Sequence, residues 1–452
     1  MTNLSVGLID DDIEGKVLRE ILSHQGVLFE DIKPERRLPK KLPCVVFPTF
    51  SDGKYELAKK NCLSEKGIVV ADEYVSLEEL LRRFTGECDS SGESFLPADV
   101  NEMEHVLLDQ IKAVFFDQGL PFLNKCSWPD SHRTCCVLTH DVDWLHYSPW
   151  HRAVFRRRSV PQLARLVYNS LFHKKDFGNN IADIVKTEKD EDVRSSFYFQ
   201  PRYEENSAAV PPALKLLRDR NFEIGLHGYY AHRSLEKLRT QKQVLEKRAQ
   251  LIVRGIRQHG AQFTHSLTWR HEAEAGFAYD LTVHSNEKFG FRAGTCFPYH
   301  LFDRERDMRL RMLELPTSII DWTILFQRLS VEDALKQLRK VEAVVESYGG
   351  LLLACFHNTY MNNETFPEIV EIYASLLDDV HQKDYWVATA MDCCQWWLKR
   401  ENARVAARLV NRSVVGETSA PSIPLQIETS EGVKVLSEVH EASFNIDLNN
   451  QS

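Results

Sequence analysis

Leu138–Trp144 reads LTHDVDW and directly follows the apolar run Cys135-Cys136-Val137. An apolar run of that length predicts a buried strand, and this one closes on a histidine and two aspartates. Successive side chains of a strand point to opposite faces, so Asp141 and Asp143 share one side and His140 takes the other. Two carboxylates held side by side repel each other unless a positive group lies between them or one keeps its proton. A metal ion answers that conflict economically, and the rest of the chain has then to supply its other ligands.

The bulk properties narrow the class. The chain has 452 residues, 43% of them hydrophobic, enough for two or three domains or for a barrel with additions. A formal net charge of -9 argues against nucleic acid as a partner. The opening MTNLSVGLIDDDIEG lacks a positive region followed by a long apolar one, so no signal peptide is expected. No apolar run approaches the roughly 20 residues of a membrane span. A cytoplasmic protein is the expectation. Ten cysteines are present without a CxxC pair, which predicts reduced, buried thiols rather than disulfides or a structural zinc site.

The chain divides into three expected parts. Residues 1–125 read as a small α/β domain, with strands at LSVGLI, CVVF and GIVVA, an amphipathic helix carrying Ile13, Val17 and Ile21, and a helix opened by Ser76-x-x-Glu79. VGLIDDD invites comparison with a phosphate-receiving regulator domain. CVVF, however, ends in Pro48-Thr49 where that domain needs an aspartate, so a structural or partner-binding role is expected instead. Residues 130–400 alternate strands (TCCVLTHD, SSFYFQ, FEIGLH, MLELPTS, LLLACFH, WVATAMD) with helices such as 331–348, a βα pattern that predicts a mostly parallel sheet or barrel. In such barrels reactive residues gather at the C-terminal strand ends. Asp141, His227 and His357 each close an apolar strand, which predicts one shared mouth. Residues 401–452 alternate with Pro and Gly punctuation and read as a β-rich appendage after a helix around WWLKRENARVAARLV.

Residues 130–397 resemble the polysaccharide deacetylase family, the NodB-homology carbohydrate esterases, whose distorted β/α barrel removes acetyl groups from N-acetylated sugars with a divalent metal. The resemblance rests on five short motifs in order: THDVD (139–143), LHGYYAH (226–232), IRQHG (256–260) with EAGFAYD (274–280), IDW (320–322) and FHN (356–358). It implies Asp141 as general base and Asp143, His227 and His232 as metal ligands, with zinc the expected occupant. The two histidines stand five apart rather than the usual four, so His232 can ligate only from a loop. It also implies Arg257 as the partner that keeps Asp141 ionised, with Arg270 as rival, and Asp321 as the residue tuning His357, the general acid. Trp144, Tyr229, Trp322 and Asn358, which flank these positions, are expected to contact the sugar.

The function implied is hydrolysis of an N-acetyl group on an amino sugar or glycan during polysaccharide or glycoconjugate metabolism. Hydrolysis of another amide, a formamide or cyclic ureide, is the alternative among enzymes. A non-catalytic glycan-binding or scaffold protein that keeps the barrel is the alternative outside them. The basic segment 151–175, with Arg156, Arg157 and Arg158 among Phe, Leu, Val and Tyr, is expected either to meet an anionic glycan, nucleotide sugar, acidic membrane or lipid-linked sugar, or to be a solvated helix.

Overall fold

In the computed structural model of the chain, residues 2–9, 12–33, 41–85, 98–145, 179–201, 208–432 and 434–448 are described. The basic segment 151–175 lies outside the described residues. At the centre is a ten-stranded sheet built from β1 (Cys135–Val142), β2 (Ser196–Phe199), β3 (Glu223–Gly228), β4 (Gly255–Gln258), β5 (Tyr279–Asp280), β6 (Tyr299–Asp303), β7 (Met308–Glu314), β8 (Ile319–Ile320), β9 (Leu351–Cys355) and β10 (Trp386–Ala388). From edge to edge the order is β6, β7, β5, β4, β3, β2, β1, β9, β8, with β10 also paired to β1. All pairings are parallel except β6 with β7. The ladder does not close on itself among the described residues, so the expected distorted barrel is an open, curled α/β sheet.

The strand β1 occupies the middle of this sheet. All eight of its residues are buried, which is why it reads as an unbroken apolar run rather than as an alternation. One edge pairs over residues 135–139 with β9 (Cys135↔Leu351 through Thr139↔Cys355). The other is shared: Cys135–Val137 pair with β10 and Thr139–Val142 with β2. His140 faces away from the aspartates, as alternation requires. Its Nδ1 meets Phe356 O at 2.8 Å and its Nε2 meets Glu188 at 2.7 Å.

Helices cover the sheet and have recognisable ends. Val331–Tyr348 is capped by Ser330, whose hydroxyl accepts from Asp333 N at 3.1 Å, and stops at Gly349 in the left-handed region (φ 71). Ser76 caps Leu77–Phe84 in the same way through Glu79 N. The helix Ala390–Asn402 ends earlier than its sequence suggests. Val405–Val410, expected to continue it, is a strand that folds onto Ser413–Thr418 through a two-residue turn with Asn411 at φ 55. Its β-branched residues and its antiparallel partner outweigh the local helical pattern.

The ends of the chain lie together. Strands Val6–Leu8, Phe29–Asp31, Cys44–Phe47 and Ile68–Val70 form a small parallel sheet. Thr2–Asn3, however, pairs with Val405–Val410, and Phe122–Lys125 pairs with Leu425–Glu428. A division at 125 and 401 therefore runs across two hydrogen-bonded ladders, and one apolar cluster extends from Leu4 to Ile446. The nine cysteines among the described residues are buried and unpaired. No helix among the described residues is long and apolar enough to cross a membrane.

Candidate metal centre

Four neighbouring strands, β1 to β4, end at one place. Asp143 lies just past β1, His227 is the penultimate residue of β3, and His259 follows β4. Asp143 Oδ1 is 3.3 Å from His227 Nε2 and 3.4 Å from His259 Nδ1, and the two ring nitrogens are 3.1 Å apart. These three atoms form a group of metal-ligand type, all within 4.8 Å of one another. The protonation pattern supports that use. His227 Nδ1 is 3.0 Å from Arg257 O, and a carbonyl can only accept, so in the neutral ring Nε2 carries a lone pair. His259 Nδ1 is 2.9 Å from Gln200 Nε2, an atom that can only donate, so it too presents a lone pair. Two lone pairs and a carboxylate oxygen converge, a donor set that fits a divalent cation.

Asp141 lies on the same side, 3.7 Å from His227 Nε2, and is bound to Arg257 (Nη1 to Oδ1, 2.7 Å). The guanidinium is fully buried and its donors are all engaged, with Cys355 Sγ, Thr139 Oγ1, Thr317 Oγ1 and Leu281 O as the other acceptors. Burial alone would raise the Asp141 carboxyl, but Arg257, with His227 and His357 in support, holds it well below the usual range. Arg270 is elsewhere, in a two-point pair with Asp303 at 2.7 and 2.8 Å.

His357 follows β9 and places Nε2 3.8 Å from Asp143 Oδ2. Its Nδ1 binds Asp321 Oδ1 at 2.7 Å, and its backbone N–H donates to Asp321 Oδ2 at 2.6 Å. Burial would lower this histidine, but Asp321 and the two site aspartates push it up to about 9. One group is thus held as a base and another as an acid across a shared opening.

The expected ligand His232 is not in this cluster. The chain turns at Tyr230, which takes the left-handed region (φ 48), and His232 stands beside Arg233 and Lys237, whose positive charges lower its pKa further after burial does. The third donor atom of the group is instead a ring nitrogen of His259. A signal for it exists: His227-Gly228 and His259-Gly260 are both histidine–glycine pairs at the ends of neighbouring, largely buried strands. At Gly228 a Cβ would come within 2.4 Å of Gln258 Oε1, so the glycine permits the close approach of β4 that brings His259 in.

The flanking residues divide. Trp144 and Trp322 are more than a third exposed, and Trp322 stacks over Tyr360, which adjoins His357. Tyr229 is buried against Tyr230 and His259. Asn358 is buried and donates to Trp144 O at 3.0 Å, so it fixes the tryptophan's backbone.

Neither a family model nor a curated protein matches the sequence. Among solved structures the chain is similar to carbohydrate deacetylases. Agd3, a novel carbohydrate deacetylase, gives a TM-score of 0.45 at 9% identity, covering 100% of this chain and 99% of its own. A Mycobacterium smegmatis protein assigned as a polysaccharide deacetylase gives 0.41 at 19% identity over 60% of this chain and 92% of its own. A CE4 family pseudoenzyme from Bacillus anthracis gives 0.34 at 14% over 59% and 66%. With TM-scores this low, none of these likenesses bears on the reaction, which rests on the geometry above.

Proposed function

We propose that the chain is a metal-dependent amide hydrolase that removes the N-acetyl group of an amino sugar or glycan. The observation that carries this reading is the convergence of three lone-pair donors beside a carboxylate held ionised and a histidine held protonated. Asp143, His227 and His259 would hold the cation, with zinc the expected occupant. When bound, such a cation lowers the pKa of a water from near 16 toward about 7 and polarises an amide carbonyl. Asp141, kept as a carboxylate by Arg257, accepts the proton of the attacking water. The carbon–nitrogen bond then breaks as His357, positioned by Asp321, delivers a proton to the departing amine. An amine leaves readily only once protonated, so base and acid have to be present in opposite states. Trp144 and Trp322 offer flat apolar faces for a sugar ring beside that opening.

The test is the metal content of the purified chain, followed by acetate release from N-acetylated sugars. About one zinc per chain is expected in the wild type and in His232→Ala, with loss in Asp143→Ala, His227→Ala and His259→Ala. A chain that takes up no metal when zinc is supplied overturns the reading and leaves a glycan-binding protein in its place.

A further inference from the structure

Gln200 is the residue immediately after β2, and the ladder that pairs Phe199 with Val142 sets it opposite Asp143. Its backbone N–H donates to Val142 O at 3.3 Å, and its side chain is completely buried. The side-chain Nε2 donates to Asp143 Oδ1 and lies 2.9 Å from His259 Nδ1. Both are donor atoms of the metal group. The other end of the amide is in the opposite situation, because Oε1 is buried and has no hydrogen-bond partner.

A buried carbonyl without a partner is unfavourable, and here it accompanies a choice the amide could have made differently. The two ends of a glutamine amide are nearly equal in size, so a half-turn about its last torsion exchanges them at little steric cost. Without a cation, Asp143 favours the present orientation, because a carboxylate offers only acceptors, and the second hydrogen of the NH2 group is then directed at His259 Nδ1. With a cation among Asp143, His227 and His259, those lone pairs are given to it, and an N–H pointing the same way is repelled. An amide oxygen is a neutral, hard ligand that suits the same cations as carboxylate and imidazole.

We propose that Gln200 belongs to the metal centre and that its amide turns with occupancy, donating N–H to Asp143 and His259 in the metal-free chain and presenting Oε1 to the cation in the loaded one. The proposal rests on the reading of Asp143, His227 and His259 as ligands. It explains why a fully buried glutamine stands at the end of a strand between the two strands that carry Asp143 and His227, and why half of its amide is unsatisfied there.

The experiment uses the full chain, stripped with a chelator and titrated with Zn2+ and with Co2+, for wild type, Gln200→Leu, Gln200→Glu and the bystander His232→Ala. Affinity is read by competition with a chromogenic chelator, coordination by the visible bands of bound Co2+, and stability by the melting temperature with and without metal. Gln200→Leu is expected to bind Zn2+ roughly 10- to 100-fold more weakly and to alter the Co2+ bands. Gln200→Glu keeps an oxygen and is expected to bind at least as tightly as wild type. Its metal-free form melts lower, because its carboxylate then faces Asp143 with nothing between them.

Wild-type affinity and wild-type Co2+ bands in Gln200→Leu overturn the proposal while leaving the metal centre intact. Weaker binding with unchanged bands also overturns it, since that is the behaviour of a residue that only braces its neighbours. If Gln200→Leu does not fold, Gln200→Glu decides: a larger metal-induced rise in melting temperature than wild type supports the turn, and an equal rise overturns it. No binding of either ion by the wild type removes the centre and the proposal together.

Discussion

Two groups of ligand-type side chains are found among the described residues, Asp143–His227–His259 at the strand ends and Glu20–His300–Glu401 between two helices and a strand. Their residue types are alike and their chemistry is opposite. In the second, His300 Nδ1 meets Leu310 O and Nε2 meets Glu401 Oε2, both at 2.8 Å, so both ring nitrogens face acceptors. Burial alone would lower His300, but Glu20 and Glu401 raise it. Arg309 then bridges the carboxylates, 3.0 Å from Glu20 and 2.8 Å from Glu401. This group already contains its cations and joins the helices Ile13–His24 and Ala390–Asn402 to the β6–β7 hairpin. The first group keeps its lone pairs pointed inward, and the amide N–H donor it receives among the described residues is that of Gln200. Composition alone does not make a metal site; the protons decide it.

The largest effect expected from breaking this contrast is on catalysis. Asp141→Asn should lower kcat for acetate release by roughly 10³-fold while zinc content stays near that of wild type, because the base is lost and the ligands are not. Loss of zinc in that variant would show that Asp141 is itself a ligand. In the second group, Arg309→Met should reduce stability by about 3 kcal/mol with zinc content unchanged, since the buried Glu20 and the half-buried Glu401 lose the guanidinium they share. Urea unfolding measures it, and a loss below about 1 kcal/mol would mean that the pair is exposed in its effect.

A third prediction uses pH. His24 is buried between Glu104 (2.6 Å) and Glu20 (3.5 Å). Burial alone would lower it, but Glu104 and Glu20 push it up to about 9 from an ordinary 6.5. Its folded pKa exceeds its unfolded one, so its contribution is full below about pH 6.5 and disappears as pH rises through 9. The destabilisation caused by His24→Gln should therefore shrink by roughly 3 kcal/mol between pH 6 and pH 10, and a pH-independent difference would show that His24 is neutral in the fold. The smallest effect expected is at a helix end remote from both groups. Ser330→Ala should cost about 1 kcal/mol by removing the cap of Val331–Tyr348, with no change in zinc content or activity.

Much of the mouth was legible in the sequence. The apolar runs ending in Asp141, His227 and His357 are strands, and their ends do meet. Arg257 binds Asp141, and Asp321 binds His357, at the positions the motifs implied. The helix 331–348 begins and ends at its serine and glycine. These features are local: a run of apolar residues, a cap, a glycine with positive φ.

The failures share a different cause. His232 was expected because the motif resemblance implied it, despite its five-residue spacing from His227, whereas the ring brought to 3.1 Å from His227 is that of His259, 32 residues away and one strand across. Val405–Val410 looked helical until an antiparallel partner was available, and Thr2–Asn3 gave no sign of joining a sheet near the other end of the chain. The sequence determined which residue closes each strand, because burial and alternation act on neighbours along the chain. Only the tertiary structure decided which strand ends adjoin. In a parallel sheet consecutive pairing partners are separated by whole helices, and the order β1, β2, β3, β4 is what brings Asp143, Gln200, His227 and His259 around one point.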